Sequence, residues 1–362
     1  MNGALVKVHV VIQTAFIGDL FLTIPFLNHL KKLCPDDQII LICKKGLAQF
    51  FLTKNLVHEC FEIDKGQRLS YRNIKNQLNQ KNIVQIFCLH QSIRSSLLSY
   101  QIKSNKKYGF IKNKYLDFWK KWIFDKTVDY QKSWPEVIRQ MSLLTAVDSS
   151  LKDLIFSRDW SYLNFPYKNN SFEIIPEIFS FKLQPLKVVA SQEKKIGLFP
   201  GSVWATKRWD IAGFVELAKC LSKHNFQIYV LGGKDDMQLG VSIKSLVPEV
   251  EDFTGQMSLL ESANFLQSLD LIICNDSAPA HMAAFYQRPV LALFGPTVLD
   301  FGFRPWNNKS QVIQVEKMSC RPCGPHGHHL CPKGHHDCMK KITAQEVYHR
   351  AHKMLGNEND LN

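Results

Sequence analysis

The chain has 362 residues, of which 45% are hydrophobic and 21% are charged, and its formal net charge is +13. This composition is typical of a globular protein and excludes a largely disordered chain, while the length is too great for one ordinary core. No apolar run reaches the roughly 18 residues that span a bilayer, and Gln13 and Asp19 break the first apolar segment too early for a signal peptide, so we expect a cytoplasmic protein.

Strands and helices alternate in the first block of the chain, residues 1–182, which we predict to be an N-terminal domain. Short apolar runs predict buried strands, and longer amphipathic segments predict the helices between or after them. The predicted strands cover residues 7–13, 38–43, 57–63 and 83–89, and two of the predicted helices cover residues 21–33 and 134–144. The loop after the first strand ends in Gly18-Asp19, where a helix begins.

Residues 101–132 form a basic stretch with nine lysines, three aspartates and interleaved aromatic residues. Such a stretch suits a membrane interface or an acidic, phosphorylated lipid headgroup. A solvated basic face over an ordinary helix is the alternative. Nucleic acid also attracts lysine and aromatic side chains, but no nucleic-acid motif appears, and we expect no such partner.

The second block, residues 183–362, begins with a polar connecting stretch at residues 183–195 and then repeats the alternation. Its predicted strands cover residues 195–199, 227–231, 269–274 and 290–294. Two doubly wound α/β domains with a central cleft between them follow from this pattern.

The loop after the strand at residues 195–199 carries groups that suit a phosphate. Ser202 offers a hydroxyl and Lys207 a cation, although Thr206 stands where a phosphate-binding loop requires glycine. The alternative is a surface lysine beside a helix cap. The chain has no Gly-x-Gly-x-x-Gly motif, which argues against an NAD enzyme.

The segment Asn275-Asp276-Ser277-Ala278-Pro279-Ala280-His281 follows another buried strand and opens a helix. A carboxylate, a hydroxyl, helix N–H groups and an imidazole are offered to one small volume, which suits a sugar attached to a phosphate. The alternative is an ordinary capped helix with His281 packed one turn on.

Six of the ten cysteines lie in apolar contexts and are expected to be buried free thiols. The tail segment, residues 320–338, is different, because Cys320, Cys323, Cys331 and Cys338 alternate with histidines at the spacing of a small zinc site. The alternative is a loop whose cysteines are reduced and merely packed.

Several short motifs occur in one order along nearly the whole chain. They are Gly18-Asp19 with Pro25, Pro200-Gly201-Ser202, Lys207-Arg208-Trp209, Leu231-Gly232-Gly233, Asn275-Asp276-Ser277 with His281, and Leu293-Phe294-Gly295-Pro296-Thr297. In these motifs the chain resembles the lipopolysaccharide heptosyltransferases of glycosyltransferase family 9. The Cys-rich tail resembles the heptosyltransferase II branch.

The resemblance implies a GT-B fold, in which two Rossmann-like domains face a central cleft. The acceptor would bind the N-terminal domain and the sugar nucleotide the C-terminal one. It also implies an inverting, metal-independent transfer of heptose from ADP-heptose to an acidic, lipid-linked acceptor of the lipopolysaccharide inner core. Such an enzyme needs no cofactor for catalysis and would work in the cytoplasm. The basic stretch at residues 101–132 suits peripheral contact with the inner membrane.

Matching residue by residue, the resemblance makes Asp19 the catalytic base and Arg94 a contact to the acidic acceptor. A carboxylate at a helix N-terminus is ordinarily a weak base, so this role requires partial exclusion of water. The implied donor residues are Lys207 and Ser202 at the phosphates, Asp276 at the sugar hydroxyls, Ser277 and the Ala278 amide at phosphate, His281 nearby, and Met257 against adenine.

The chain departs from the family pattern at Gln13, at Ala278 and at Trp134-Pro135-Glu136, where a histidine often begins the helix. These departures predict differences in the acceptor contacts more than in the donor contacts. Three alternatives stay open: another nucleotide sugar or acceptor, a non-catalytic nucleotide-binding protein, and a zinc-containing regulatory protein.

Overall fold

The computed structural model of the protein describes residues 6–157, 160, 193–307 and 309–356. These residues form two compact units, the first containing residues 6–157 and 160 and the second containing residues 193–307 and 309–356. The domain boundary predicted between residues 182 and 183 lies outside the described residues, as does most of the predicted connection at residues 183–195.

The first unit contains a parallel six-stranded sheet in the order β3-β2-β1-β4-β5-β6. Its strands are β1 (Val8–Ile12), β2 (Gln38–Lys44), β3 (Glu59–Ile63), β4 (Ile83–Cys88), β5 (Lys106–Ile111) and β6 (Lys126–Asp129). Its α-helices are α1 (Ile17–Leu33), α2 (Ala48–Thr53), α3 (Arg68–Leu78), α4 (Ile93–Gln101), α5 (Glu136–Ser142) and α6 (Ser150–Phe156), with short 3₁₀ helices at Phe118–Trp122 and Leu143–Ala146.

The second unit repeats this architecture, with the strand order β12-β11-β10-β7-β8-β9. Its strands are β7 (Lys194–Phe199), β8 (Phe226–Val230), β9 (Glu251–Asp252), β10 (Leu271–Asn275), β11 (Val290–Phe294) and β12 (Ser310–Gln314). Its α-helices are α7 (Ile211–Ser222), α8 (Met237–Leu246), α9 (Leu259–Leu266), α10 (Ala278–Phe285), α11 (Asp337–Lys340) and α12 (Ala344–Met354).

The central strands explain why each unit folds as an open parallel sheet. All five residues of β1, β10 and β11 are buried, as expected of strands covered by helices on both faces. The predicted α/β class with two doubly wound domains is confirmed. Among the described residues, none of the helices combines the length and apolar character needed to cross a membrane.

The strand order reverses between β1 and β4 in the first unit and between β7 and β10 in the second. Ligands of open α/β sheets bind outside the carboxyl ends of the strands at such a reversal. The loops after β1 and β4 therefore define one candidate region, and the loops after β7 and β10 define another.

The basic stretch at residues 101–132 is not a solvated face over one helix, the alternative that the sequence left open. It contains β5, β6 and the short 3₁₀ helix at Phe118–Trp122. The strand β5 packs closely on the segment before β6, because a Cβ added to Gly109 would lie 2.5 Å from the Phe124 ring.

Candidate functional site

Asp19 lies in the first turn of α1, shortly after β1. Its half-buried carboxylate accepts the Phe16 N–H at 3.2 Å, which completes the first turn of the helix. Burial and the negative charge of Glu136 raise the pKa of Asp19 to about 7, against the opposing effects of the Phe16 N–H and Arg139. Burial therefore outweighs the helix N-terminus, and a carboxyl poised near neutral pH suits proton transfer.

Glu136 begins α5 and is buried near enough to Asp19 for its charge to act on that carboxyl. It accepts hydrogen bonds from Arg139 Nε at 2.8 Å, from the Tyr130 hydroxyl at 3.1 Å and from Gln140 Nε2 at 3.2 Å. Gln140 Nε2 also approaches the Asp19 carbonyl oxygen at 3.4 Å, so α5 is tied to α1 at this point. Sequence reasoning missed Glu136 as a functional residue, although its departure from the family pattern was a usable signal.

A second cluster of polar side chains lies at the carboxyl ends of β1 and β4. The Thr14 hydroxyl lies 2.7 Å from His90 Nδ1 and 3.1 Å from the Ser95 hydroxyl. Burial and the nearby cations Lys65 and Lys112 lower the pKa of His90 to about 4. The imidazole is therefore neutral at pH 7 and acts here as a hydrogen-bonding partner.

Positive charges gather around Lys65, which lies at the same edge of the sheet as Asp19. Arg94 is exposed in the first turn of α4, and its Nη1 donates to the Lys65 carbonyl at 3.4 Å. Burial lowers the pKa of Lys65, as do the charges of Lys44 and Arg94, while Asp19 opposes them. The sequence predicted only Arg94 as an acceptor contact, and the structure adds Lys44 and Lys65 beside it.

Asn275 organises the candidate region of the second unit from the end of β10. Its Nδ2 donates to the Pro200 carbonyl at 2.8 Å, and its Oδ1 accepts the Trp209 N–H at 2.9 Å. The loop between Pro200 and Trp209 is thus fixed at both ends. Gly201 leaves room within it for the Asp236 carboxylate, which a Cβ at this position would displace.

Lys207 and Asp276 form an ion pair, with 2.6 Å between Nζ and Oδ2. The Thr297 hydroxyl donates to the same carboxylate oxygen at 2.6 Å. Asp276 is buried and Lys207 is partly buried, so the pair is fixed in position. The structure brings together two residues that the sequence assigned to different parts of one ligand.

The beginning of α10 lies next to this pair. Ser277 occupies the N-cap position, but its hydroxyl donates to the Asn275 carbonyl at 3.3 Å and does not cap the helix. Ala278 is the first helical residue, so its N–H belongs to the turn that lacks intrahelical acceptors. The ordinary capped helix that the sequence left as an alternative is therefore not what forms.

His281 is buried one turn further along α10. Burial lowers its pKa to about 4, with Lys207 acting in the same direction and Asp276 opposing. In the described part of the chain, its Nδ1 is buried without a hydrogen-bond partner. A buried polar atom of this kind requires an explanation, and a bound ligand is one.

For two predicted donor residues, Ser202 and Met257, the structure shows no side-chain hydrogen bond to the Lys207–Asp276 pair among the described residues. Ser202 is half-buried in the loop after β7, where its carbonyl accepts Arg208 Nε at 2.8 Å. Met257 is half-buried between β9 and α9, and β9 is separated from β10 by β7 and β8. The predicted contact of Met257 with adenine stays a prediction.

The Cys-rich tail packs on the loop that carries Lys207. The Thr206 N–H donates to the His328 carbonyl at 3.0 Å, and its hydroxyl accepts the His328 N–H at 2.7 Å. His336 Nε2 lies 2.7 Å from the Thr206 carbonyl, and the Cys323 N–H donates to the Pro296 carbonyl at 2.8 Å. The tail therefore braces the residue next to Lys207.

The four tail cysteines are free thiols. Burial, reinforced by the other three thiols, raises the pKa of Cys338 to about 11, whereas Arg321 opposes this. Across the described residues, the potential metal ligands found within 4.8 Å of one another are His9, Cys34 and Asp37. The four tail cysteines are thus neighbours that are not drawn into one compact ligand group.

Comparisons with known proteins agree with this architecture. The family model described as glycosyltransferase family 9 (heptosyltransferase) matches residues 71–332. The lipooligosaccharide heptosyltransferase 2 of Campylobacter jejuni is 25% identical over 350 residues, which cover 94% of this chain and 96% of the relative. The lipopolysaccharide heptosyltransferase 2 of Salmonella typhimurium is 24% identical over 379 residues, covering 96% and 98%.

Among solved structures, the chain is similar to the ADP-heptose lipopolysaccharide heptosyltransferase II of E. coli. The TM-score is 0.72 at 21% identity, and the match covers 97% of this chain and 99% of the other. This likeness confirms the predicted GT-B fold class.

Proposed function

This chain belongs to glycosyltransferase family 9 (heptosyltransferase), and we propose that it transfers heptose from ADP-heptose to an acidic, lipid-linked acceptor of the lipopolysaccharide inner core, with inversion at the anomeric carbon. The observation that carries the proposal is Asp19, a half-buried carboxyl with a pKa of about 7 at a strand-order reversal. The Campylobacter and Salmonella heptosyltransferases and the E. coli ADP-heptose heptosyltransferase II support the substrate classes by their similarity to this chain.

Asp19 is the base in this proposal. Its ionised carboxylate accepts the proton of the acceptor hydroxyl as that oxygen attacks the anomeric carbon of the donor. The bond between that carbon and the phosphate oxygen breaks, and its electron pair leaves with ADP. Attack opposite to the leaving group inverts the anomeric configuration, and the transfer of the proton to Asp19 leaves the new glycosidic oxygen neutral.

The donor binds through the groups at the ends of β7 and β10 in this proposal. Lys207 Nζ has three N–H donors, so it can keep its bond to Asp276 and also donate to the diphosphate. Its charge and the N-terminus of α10, with Ser277 and the Ala278 N–H, stabilise the charge that develops on the leaving phosphate.

The remaining donor contacts follow from the same arrangement. Ser202 donates a hydrogen bond to phosphate, Asp276 accepts from the sugar hydroxyls, and Met257 packs on adenine. A sugar or phosphate group beside α10 would supply the partner that the buried Nδ1 of His281 lacks among the described residues.

The acceptor is acidic in this proposal because Lys65 lies near Asp19, and Arg94 and Lys44 add their positive charges beside Lys65. Phosphate or carboxylate groups of an inner-core acceptor pair well with such a cluster. The acceptor's lipid anchor places the reaction at the cytoplasmic face of the inner membrane.

The proposal is tested by offering the full chain a panel of nucleotide sugars with a heptose-deficient core acceptor and weighing the products by mass spectrometry. We expect ADP-heptose alone to give an acceptor heavier by one heptose. Transfer from another nucleotide sugar and not from ADP-heptose would show that the proposed donor is wrong. An absence of transfer from any donor would favour a non-catalytic nucleotide-binding protein.

Changing Glu136 to glutamine should move the acid limb of the kcat/KM pH profile to lower pH. In the wild type that limb should lie near 7, the pKa of Asp19. The negative charge of Glu136 helps to raise this pKa, so its removal lowers the pKa and keeps Asp19 ionised in more acid solution. The profile is measured from about pH 5 to 9, a range that spans both limbs.

The control is Glu59→Gln, which changes a surface ion pair with Lys81 and should leave the acid limb in place. An acid limb that does not move in Glu136→Gln would show that Glu136 does not raise the pKa of Asp19.

No metal takes part in the transfer in this proposal, and a structural zinc ion would draw together the four tail cysteines, which are free thiols outside a compact ligand group in this structure. Four cysteines that lose their protons on metal binding are a donor set that suits structural zinc, and the tail that carries them braces Thr206. We expect about one zinc per chain by elemental analysis, since such sites bind one ion with four ligands. Cys320→Ser with Cys331→Ser should lose the zinc and lower Tm, while brief addition of EDTA leaves the transfer rate unchanged. Protein purified without zinc would show a loop of packed, reduced cysteines.

A further inference from the structure

Four large apolar side chains are exposed on one loop of the first unit, residues 112–122, which we call the aromatic loop. The exposed fractions are 89% for Tyr115, 74% for Leu116, 54% for Phe118 and 77% for Trp122. Grouped apolar side chains of this size on a protein surface mark a site of interaction. Scattered single residues would need no such explanation.

The aromatic loop is held in place from beneath. The Asp117 carboxylate accepts the Asn113 N–H at 3.2 Å, and the Asn113 side chain in turn accepts the Tyr115 N–H at 2.9 Å. Lys120 Nζ lies 3.1 Å from Asp117 and donates to the Phe110 carbonyl at 3.3 Å. Although Lys120 belongs to the basic stretch, it is buried and stabilises the loop. The exposed side chains are therefore presented by a braced loop.

The aromatic loop also carries positive charge on its outer side. The aromatic loop contains four lysines and one aspartate, and Asp125 and Lys126 follow it. Lys120 is paired internally, whereas Lys114, Lys121 and Lys126 are exposed. Aromatic side chains mixed with exposed lysines suit the interface of an anionic membrane, where rings enter the headgroup region and ammonium groups pair with phosphates.

The position of the aromatic loop relates it to the proposed acceptor site. The loop follows β5, Arg94 follows β4 and Asp19 follows β1. These strands are neighbours in the order β1-β4-β5 and run parallel, so their carboxyl ends lie at one edge of the sheet. A surface on which the aromatic loop rests would meet the same edge as Asp19.

We propose that the aromatic loop docks on an anionic phospholipid bilayer, with Phe118 and Trp122 in the interface and Lys114 and Lys121 against the phosphates. A bilayer is favoured over a protein partner because it accepts both the apolar rings and the distributed positive charge without a shaped pocket. The inference rests on the proposed function for its purpose, since a lipid-linked acceptor is presented by such a bilayer.

The test is sedimentation of the full chain with vesicles of phosphatidylglycerol and phosphatidylethanolamine, compared with phosphatidylcholine vesicles. The wild type should bind the anionic vesicles and release them as salt rises. Phe118→Ser with Trp122→Ser should weaken binding roughly tenfold or more, because two rings no longer leave water. Lys114→Gln with Lys121→Gln should weaken it by about fivefold per lysine.

The matched control is Val241→Ser with Leu246→Ser, which changes two exposed apolar residues of the second unit. This control variant should bind the vesicles as the wild type does.

Transfer to a lipid-free, soluble core acceptor separates this inference from the proposed function. The Phe118→Ser, Trp122→Ser variant should keep the wild-type rate on that acceptor while losing vesicle binding. Equal vesicle binding by variant and wild type, or no binding by the wild type, would overturn the docking surface even if transfer persists. A wild-type dimer that this variant converts to a monomer in analytical ultracentrifugation would also overturn it, by assigning the surface to a second copy of the chain.

Discussion

Replacing Asp19 with asparagine should slow heptosyl transfer by about 10²- to 10⁴-fold at saturating donor and acceptor, the usual contribution of general-base catalysis. The asparagine side chain can still accept the Phe16 N–H, so the first turn of α1 is kept. What is lost is the carboxylate that takes the acceptor proton. The measurement is the initial rate of product formation, with ADP-heptose affinity determined in parallel by calorimetry and expected to be unchanged.

The stability of this variant distinguishes the base from a helix cap. The pKa of Asp19 is raised in the folded protein from 3.8 to about 7. A raised carboxyl pKa means that its stabilising contribution is present below about pH 3.8 and is lost as pH rises through 7. At pH 8 the ionised carboxylate therefore disfavours the folded state, and Asp19→Asn should melt no lower than the wild type.

A matched control exists in the second unit. Glu261 accepts the Ser258 N–H at 2.8 Å from the same position in the first turn of α9 that Asp19 holds in α1. Glu261→Gln should leave the transfer rate within a few-fold of wild type. If Asp19→Asn also stays within a few-fold, Asp19 is only a cap and the base is another group.

Replacing Lys207 with alanine should weaken binding of ADP-heptose by roughly 10- to 150-fold, since a hydrogen bond from a charged group to phosphate contributes about 1.5 to 3 kcal/mol. The loss appears in calorimetry with the donor alone. Because Lys207→Ala leaves the buried Asp276 carboxylate without its cation, a second variant, Lys207→Ala with Asp276→Asn, removes both charges together and should show a similar loss for ADP.

Asp276, the partner of Lys207 in the ion pair, is tested by comparing the affinities for ADP and ADP-heptose. Asp276→Asn alone should weaken ADP-heptose more than ADP, because this carboxylate is assigned to the sugar. Lys81→Ala, which breaks a surface ion pair of 2.7 Å with Glu59, should change neither affinity. Unchanged affinity in Lys207→Ala would contradict the phosphate contact, and equal losses of ADP and ADP-heptose in Asp276→Asn would contradict the sugar contact.

The sequence predicted the central strands of both sheets because apolar runs such as β1 and β10 are too short for a helix and are typical of buried strands. It did not predict β5 and β6, since lysines at their starts give them the appearance of a solvated surface. The burial of Lys120 could not be predicted from the sequence either. The Asp117 carboxylate and the Phe110 carbonyl that stabilise its buried ammonium group come together only in the folded loop.

The candidate sites were predictable where chemistry and strand ends coincide in the chain. Asp276, Ser277 and His281 belong to one short segment, so their proximity follows from the helix that they begin. Glu136 is separated from Asp19 by more than a hundred residues, and only the packing of α5 on α1 brings their charges together. The ion pair of Lys207 with Asp276 likewise depends on the neighbouring positions of β7 and β10.

An inverting transfer of heptose from ADP-heptose is tested by the anomeric configuration of the product. The full chain is incubated with ADP-heptose of known configuration and a heptose-deficient core acceptor, and the purified product is analysed by nuclear magnetic resonance. We expect one added heptose whose anomeric configuration is opposite to that of the donor, with ADP released in equal amount. A product with the donor's configuration, or ADP released without a new glycosidic bond, would show that the proposed reaction is wrong.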